Sequence, residues 1–226
     1  VIELQEVRYA GRTVQVYEDA RLILGFTEGD FTAAALQRFL APRPLLFLKQ
    51  IHGKTILNES SWRPASAADG LLLRKPDAVA VIQTADCVPL FYFSDDRAVG
   101  GIIHVGWQGL AQGIETELLS MLPGERSRYH FFMGPAIEKK CYPVGEELLN
   151  IFGGKPYGTS FFTRRADGKW LMDIKAGLSL SLRQAGIAAG RIQDCGLCTF
   201  CHPGRFPSYR RDGKTGRRIF SFFTCK

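Results

Sequence analysis

Thr84-Ala85-Asp86-Cys87-Val88-Pro89 separates two apolar runs, Ala78–Gln83 and Leu90–Ser94, and a third run, Val99–Val105, ends on His104-Val105-Gly106-Trp107. The runs are short, rich in branched and aromatic residues, and read as buried strands. Asp and Cys are poor strand-interior residues, so the break between the first two runs is a tight turn rather than a continuation. The three-strand unit thereby delivers a thiol and an imidazole from neighbouring strand ends. Upstream, Pro44–Gly53 is a strand running into a glycine break, and it brings His52 to a third strand end.

Outward from this unit the chain alternates irregularly. Residues Val1–Phe26 alternate in polarity and read as strands turning at Gly11, and Phe31–Leu40 has helical spacing that stops before Pro42. Pro64–Gly70 is loop. Gly109–Leu122 places Leu110, Ile114, Leu118 and Leu122 along one helical face. Arg128–Met133 is a strand, Gly145–Phe152 a short helix, Phe161–Arg165 and Lys169–Ile174 a hairpin, and Ile174–Ala185 a helix closed by Gly186. Cys195–Lys226 is turn-rich. Strands joined by short turns argue against a purely doubly wound sheet. The expectation is an α+β fold of layered mixed β-sheets flanked by helices, in one domain over residues 1–226.

Composition narrows the class of protein. The 226 residues are 46% hydrophobic and 23% charged, ordinary for a globular protein. No apolar run reaches the roughly 18–20 residues of a membrane span. The first residues show no signal-peptide pattern, which points to a cytoplasmic protein with reduced cysteines. The net charge of +7 is concentrated: seven Lys/Arg and one acid lie between Arg205 and Lys226. A basic segment can serve nucleic acid or one small phosphate-bearing ligand. Aromatics are not interleaved with it as stacking platforms, so a small-molecule partner is expected, with neither nucleic acid nor membrane. Phe220, Phe222 and Phe223 argue against a free tail.

Three groups of residues can carry chemistry. His52, Cys87 and His104 form a candidate metal site: two imidazoles and a thiolate suit zinc or copper and leave a fourth position open. Packed histidines around a buried cysteine, or a Cys87 nucleophile with a histidine base, fit the same residues. Cys195-x-x-Cys198-x-x-Cys201-His202 contains a c-type haem attachment pattern and begins like an iron–sulfur run, yet it lacks the export signal of the one and the fourth cysteine of the other. Ser208-Tyr209-Arg210-Arg211-Asp212-Gly213 is a turn whose paired guanidinium groups can hold phosphate bidentately.

Seven blocks in order carry a family resemblance: Gln50-Ile51-His52-Gly53, Thr84–Pro89, His104–Trp107, Gly134-Pro135-Ala136-Ile137, Cys141-Tyr142-Pro143-Val144-Gly145, Cys198-Thr199-Phe200-Cys201 and Ser208–Gly213. Together they resemble the bacterial YfiH/YlmD-type laccase-domain proteins. The resemblance implies that His52, Cys87 and His104 bind zinc, or copper in some preparations, on a layered fold related to a toxin Cys–His deamidase domain. It implies phosphorolysis of adenosine, inosine and methylthioadenosine, with deamination of adenosine alongside. It also implies, as alternatives, removal of misincorporated serine from a muramyl precursor in peptidoglycan editing, and copper-dependent polyphenol oxidation. Four histidines are too few for a blue-copper site plus a trinuclear cluster.

The chemistry then assigns roles. Deamination needs a proton-shuttling carboxylate, for which Asp86 beside the Cys87 thiol is the candidate. Phosphorolysis needs a held phosphate, for which Gln50, Gln108, Arg210 and Arg211 are candidates. Gln108 stands where the family usually carries Arg, so a permanent charge is missing there, and Lys140 or the Arg210/Arg211 pair is the compensating candidate.

Overall fold

The computed structural model describes all residues, Val1–Lys226. Period-two alternation in the apolar strands produces two faces per strand, and both faces are buried. In Gly70–Leu73, Leu71 and Leu73 point into one core while Leu72 enters another. Phe91 and Phe93 likewise part from Leu90 and Tyr92 along Val88–Ser94. Strands of this kind must be covered on both sides, and the chain satisfies that by stacking two six-stranded sheets between helices.

The first sheet runs in the order Gln5–Tyr9, Arg12–Glu18, Leu22–Thr27, Ile219–Cys225, Val79–Thr84, Leu45–Phe47. The second runs Ile192–Asp194, Tyr129–Met133, Val88–Ser94, Gly100–Val105, Gly70–Leu73, Ile56–Asn58. Leu24, Phe26, Ile82 and Phe223 of the first meet Leu71, Phe91, Ile102 and Phe132 of the second in the central core. Their contact is close: a Cβ on Gly100 would stand 2.3 Å from the Phe223 ring. Helix Ala33–Phe39 covers the outer face of the first sheet, with Leu36 against Val81 and Phe222. Helices Trp107–Gln112, Ile114–Met121 and Ile174–Gln184 cover the outer face of the second. The α+β architecture with layered mixed sheets is the one expected. No helix is long and apolar enough to cross a membrane.

The strand expected over Pro44–Gly53 is confined to Leu45–Phe47, which leaves His52 in the following loop rather than at a strand end, and Ile56–Asn58, Gly70–Leu73 and Ile192–Asp194 are strands that the sequence reading did not assign. Three further differences bear on the site. The turn-rich C-terminal segment ends in a central strand: every residue of Ile219–Cys225 is buried, and it pairs antiparallel with both Leu22–Thr27 and Val79–Thr84. Each fully buried phenylalanine there contributes about 1.5–3 kcal/mol, so this strand anchors the fold. Helix Gly109–Leu122 begins earlier, at Trp107, and breaks at Gly113, whose φ of 80° is left-handed and readily adopted by glycine. Finally, the strands on either side of Thr84–Pro89 do not pair with each other. Val79–Thr84 belongs to the first sheet and Val88–Ser94 to the second, so Ala85-Asp86-Cys87 is the crossing between layers.

Candidate metal centre

The crossing sets the site. To leave one sheet and enter the other within three residues, the backbone turns through Asp86 at φ 93°, a left-handed conformation costing of order 1–3 kcal/mol in a non-glycine residue. The Asp86 side chain is what holds it. Its Oδ1 accepts from Thr199 Oγ1 at 2.6 Å, and its Oδ2 accepts from Ser208 Oγ at 3.0 Å and from the Arg210 backbone N–H at 2.7 Å. The carboxylate proposed above as a proton shuttle is therefore fully engaged with donors from the C-terminal segment. Cys87 follows at the mouth of Val88–Ser94, half-buried.

His104 arrives from the neighbouring strand, where Pro89 is its register partner, and is 3% exposed. Its Nδ1 lies 2.8 Å from Oδ1 of Asp69, a fully buried residue just ahead of Gly70–Leu73. An ionised Asp69 accepts the Nδ1 proton, which fixes the tautomer and leaves Nε2 as the donor atom facing Cys87. The same carboxylate accepts the backbone N–H groups of His52 at 2.9 Å, Gly53 at 2.7 Å and Ile51 at 3.3 Å. It thereby pins His52 at φ 57°, a second left-handed residue in the site. The two imidazole rings meet edge to face with centroids 4.8 Å apart. Asp69 was missed by sequence reasoning, because only the strand register places residue 69 beside residue 104. A lone Asp ahead of an apolar run was its one signal.

The ligand atoms of His52, Cys87 and His104 all lie within 4.8 Å of one another. Gly106 leaves room for them: a Cβ there would come within 3.0 Å of Cys87 Sγ and 3.2 Å of the His52 ring. Two imidazoles and a thiolate around a cradle without a side chain fit one zinc-class or copper ion with a position left open. Burial alone would raise the Cys87 thiol, but the adjoining His104 and His52 imidazoles outweigh it and bring it down to about 6. Burial would likewise lower His104, and the Cys87 thiolate with Asp69 carries it up to about 9. In the absence of metal the two form a thiolate–imidazolium pair near neutral pH, so the deprotonated sulfur that a metal requires is ready-made.

A cavity of about 620 Å³ opens over this centre, within the range of small-molecule sites. Gln50, Asp86, Gln108 and Arg210 line it together with the three centre residues. Gln50 spends its amide on the Gln83 backbone, donating to O at 2.8 Å and accepting from N at 2.7 Å. Arg211 is not in the wall: its guanidinium donates to the carbonyls of Thr199, Phe200 and Phe206 and to Asp212, knitting the C-terminal loop. Lys140 is also elsewhere, paired with Glu138 at 3.5 Å. The second cation in the wall is Arg218, which the sequence reading passed over although it immediately precedes the buried run Ile219–Cys225. Trp107, Tyr142 and Tyr209 supply aromatic faces, and the Arg210 guanidinium sits 5.0 Å from the Tyr142 ring centroid.

A two-sheet α+β chain whose layers cross at a His₂Cys centre, beneath an aromatic- and arginine-lined pocket, has the make-up of a small-molecule enzyme with a single-ion site. Residues 29–224 match the family model described as multi-copper polyphenol oxidoreductase laccase, and the chain belongs to that family, the one that contains the YfiH/YlmD-type proteins. It is 32% identical over 178 residues to a purine nucleoside phosphorylase of Xylella fastidiosa, spanning 76% of this chain and 68% of that protein. Among solved structures, YfiH of Bacillus licheniformis superposes with a TM-score of 0.86 at 25% identity, covering 96% of this chain and all of that one. YlmD of Geobacillus stearothermophilus superposes with a TM-score of 0.86 at 23% identity, covering 97% and 98% of the two chains. The family's multi-copper description exceeds the ligands at this centre. His130 is bound to Asp95 at 2.8 Å and His202 to the Cys198 carbonyl at 2.8 Å, both apart from the His52–His104 pair.

Proposed function

We propose that the pocket takes a purine nucleoside with phosphate and cleaves the glycosidic bond by phosphorolysis, acting on adenosine, inosine and methylthioadenosine, with adenosine deamination as a minor activity. One observation carries the choice: the wall offers two arginines and three aromatic rings, while its one carboxylate, Asp86, is already committed to three donors. Phosphorolysis needs a held anion and a held base, which those groups provide. Deamination needs a carboxylate free to move a proton, and Asp86, held by three donors, serves that only when those contacts open, which keeps the activity minor.

In this reading a zinc-class ion held by His52, Cys87 and His104 supplies a Lewis acid when bound. Trp107, Tyr142 and Tyr209 take the purine face, and Arg210 and Arg218, whose Nη1 atoms donate to the carbonyls of Pro143 and of Thr215 and Arg217, take phosphate oxygens through their remaining N–H groups. A phosphate oxygen forms the new bond to the ribose anomeric carbon as the carbon–nitrogen bond to the base breaks. The electron pair leaves with the base, which takes at a ring nitrogen the proton that the hydrogen phosphate gives up as it becomes the ester. Asp86 acts indirectly, since its contact to the Arg210 backbone sets where that side chain starts. Gln108, at the pocket rim, carries no charge for the phosphate, so binding falls on Arg210 and Arg218.

The test is product analysis on the metal-loaded protein given adenosine with and without phosphate. The expected result is phosphate-dependent adenine release with equimolar ribose 1-phosphate and little inosine. Absence of adenine, hypoxanthine and inosine above a Cys87→Ala control would overturn the reading, as would inosine as the main product with phosphate present.

A further inference from the structure

The cysteine-rich run near the C-terminus has no part in the centre just described, and the fold divides it. Cys195 turns toward the core between the sheets. Cys198 and Cys201 instead meet Cys141, which ends a short 3-10 turn 57 residues earlier in the chain. The three sulfurs lie within 4.8 Å of one another, and Cys141 and Cys201 are 3.3 Å apart. All three are free thiols.

Their surroundings are those of a thiolate cradle. Cys198 is 1% exposed; burial alone would raise its thiol, but the neighbouring backbone amides of Glu138, from across the cluster, and of Cys201 and Phe200, from its own turn, bring it down. Amides from the third and fourth residues of a Cys-x-x-Cys turn, close to the first sulfur, stabilise negative charge there. The Lys140 ammonium adds positive charge beside Cys201. A tetrahedral ion with metal–sulfur bonds of about 2.3 Å holds its sulfurs about 3.8 Å apart, so the Cys141–Cys201 pair, at 3.3 Å, opens by about 0.5 Å, and the other sulfur pairs, all within 4.8 Å, close by about 1 Å at most. Haem attachment does not fit, because Cys198 is buried and His202 is tied to the Cys198 carbonyl. A four-cysteine cluster does not fit either, because Cys195 lies elsewhere.

We infer that Cys141, Cys198 and Cys201 form a second metal site, selective for a thiophilic d¹⁰ cation, Zn²⁺ or Cu⁺, which replaces the thiol protons as it binds. Soft thiolate ligands select this class. The ion is a brace. It ties Cys141, next to the pocket residue Tyr142, to the turn whose Thr199 holds Asp86 and whose carbonyls hold Arg211. The exposed Cys201 sulfur is the entry side.

The experiment uses the full chain carrying Cys87→Ala, which removes the first centre, reduced and stripped of metal under anaerobic conditions. Cobalt titration is expected to give one equivalent per chain with a near-ultraviolet thiolate charge-transfer band, displaced by Zn²⁺. A parallel titration with Cu⁺ against a chromophoric chelator decides which cation binds tighter. Adding Cys201→Ser, a change at an exposed position, is expected to weaken binding at least tenfold and diminish the band while leaving the melting curve of the metal-free protein in place. Absence of the band in the Cys87→Ala chain overturns the inference. So does a Cys141–Cys201 disulfide in the purified protein that, once reduced, takes up neither ion.

Discussion

Asp69→Asn keeps the shape of a fully buried side chain and removes its charge, and the consequences follow from four contacts. The carboxylate accepts from His104 Nδ1 and from the backbone N–H groups of Ile51, His52 and Gly53. An asparagine has one oxygen and one NH₂. If the oxygen faces His104 and His52, the NH₂ meets the Ile51 and Gly53 N–H groups, donor against donor. If it is reversed, His104 must carry its proton on Nε2, where a metal would bind. Each buried donor left unpaired costs about 1–3 kcal/mol, so a loss of roughly 2–4 kcal/mol is expected, and at about 2–4 °C per kcal/mol the melting temperature falls by roughly 5–15 °C. Metal affinity falls about 10–100-fold, the usual effect of removing a ligand's hydrogen-bond partner. Burial would raise Asp69, but His104 and the backbone amides lower it below the ordinary carboxylate value. Its stabilising contribution is therefore present above the unfolded-state pKa and lost as pH falls through the lower folded value, and the variant should lack that acid-side loss. Scanning calorimetry against pH and a chelator-competition titration check both parts. A variant that melts within about 1 °C of the parent and binds metal within twofold would refute the role given to Asp69.

In the metal-free protein, alkylation of Cys87 followed by peptide mapping should show a midpoint near pH 6, against the ordinary thiol value of 9.0. His104→Gln should move it upward. The thiolate–imidazolium pair contributes most between about pH 6 and about pH 9: Cys87 reprotonates below that window and His104 deprotonates above it. Glu115, 1% exposed, has Oε1 bonded to Ser181 and Oε2 without a partner, and burial raises its carboxyl. A raised folded value means stability lost as pH rises through it, so Glu115→Gln should melt higher than the parent at pH 8 and lose the advantage in acid. Arg218→Ala should raise the KM for phosphate about tenfold or more while changing that for the nucleoside little, as expected for removal of a charge-assisted contact of about 1.5–3 kcal/mol.

The apolar strands of the central unit were legible as short continuous runs, because both of their faces are buried: along Leu90–Phe93, Leu90 and Tyr92 enter one core and Phe91 and Phe93 the other. Their assignment to sheets was not. Thr84–Pro89 looks in sequence like a hairpin turn, and nothing local reveals that it passes between layers. Ile219–Cys225 hid behind the Gly- and Arg-rich turns before it, although its phenylalanines already argued for burial. At the centre, residue types made His52, Cys87 and His104 candidates among several readings, the family resemblance implied that they bind a metal, and the fold brings them together. What holds them there was not readable. Asp69 depends on a distant register, and Asp86 is tied by contacts more than a hundred residues away. Arg210 and Arg211 are neighbours in sequence, yet only the former reaches the pocket, because the latter is consumed by carbonyls of its own loop.

The central claim is that phosphate, rather than water, takes the ribose. Turnover of adenosine with phosphate carrying ¹⁸O at all four oxygens tests it directly. Phosphorolysis predicts ribose 1-phosphate that retains all four labelled oxygens, one of them bridging to the anomeric carbon, in step with adenine release. Unlabelled free ribose, or inosine as the principal product, would contradict it.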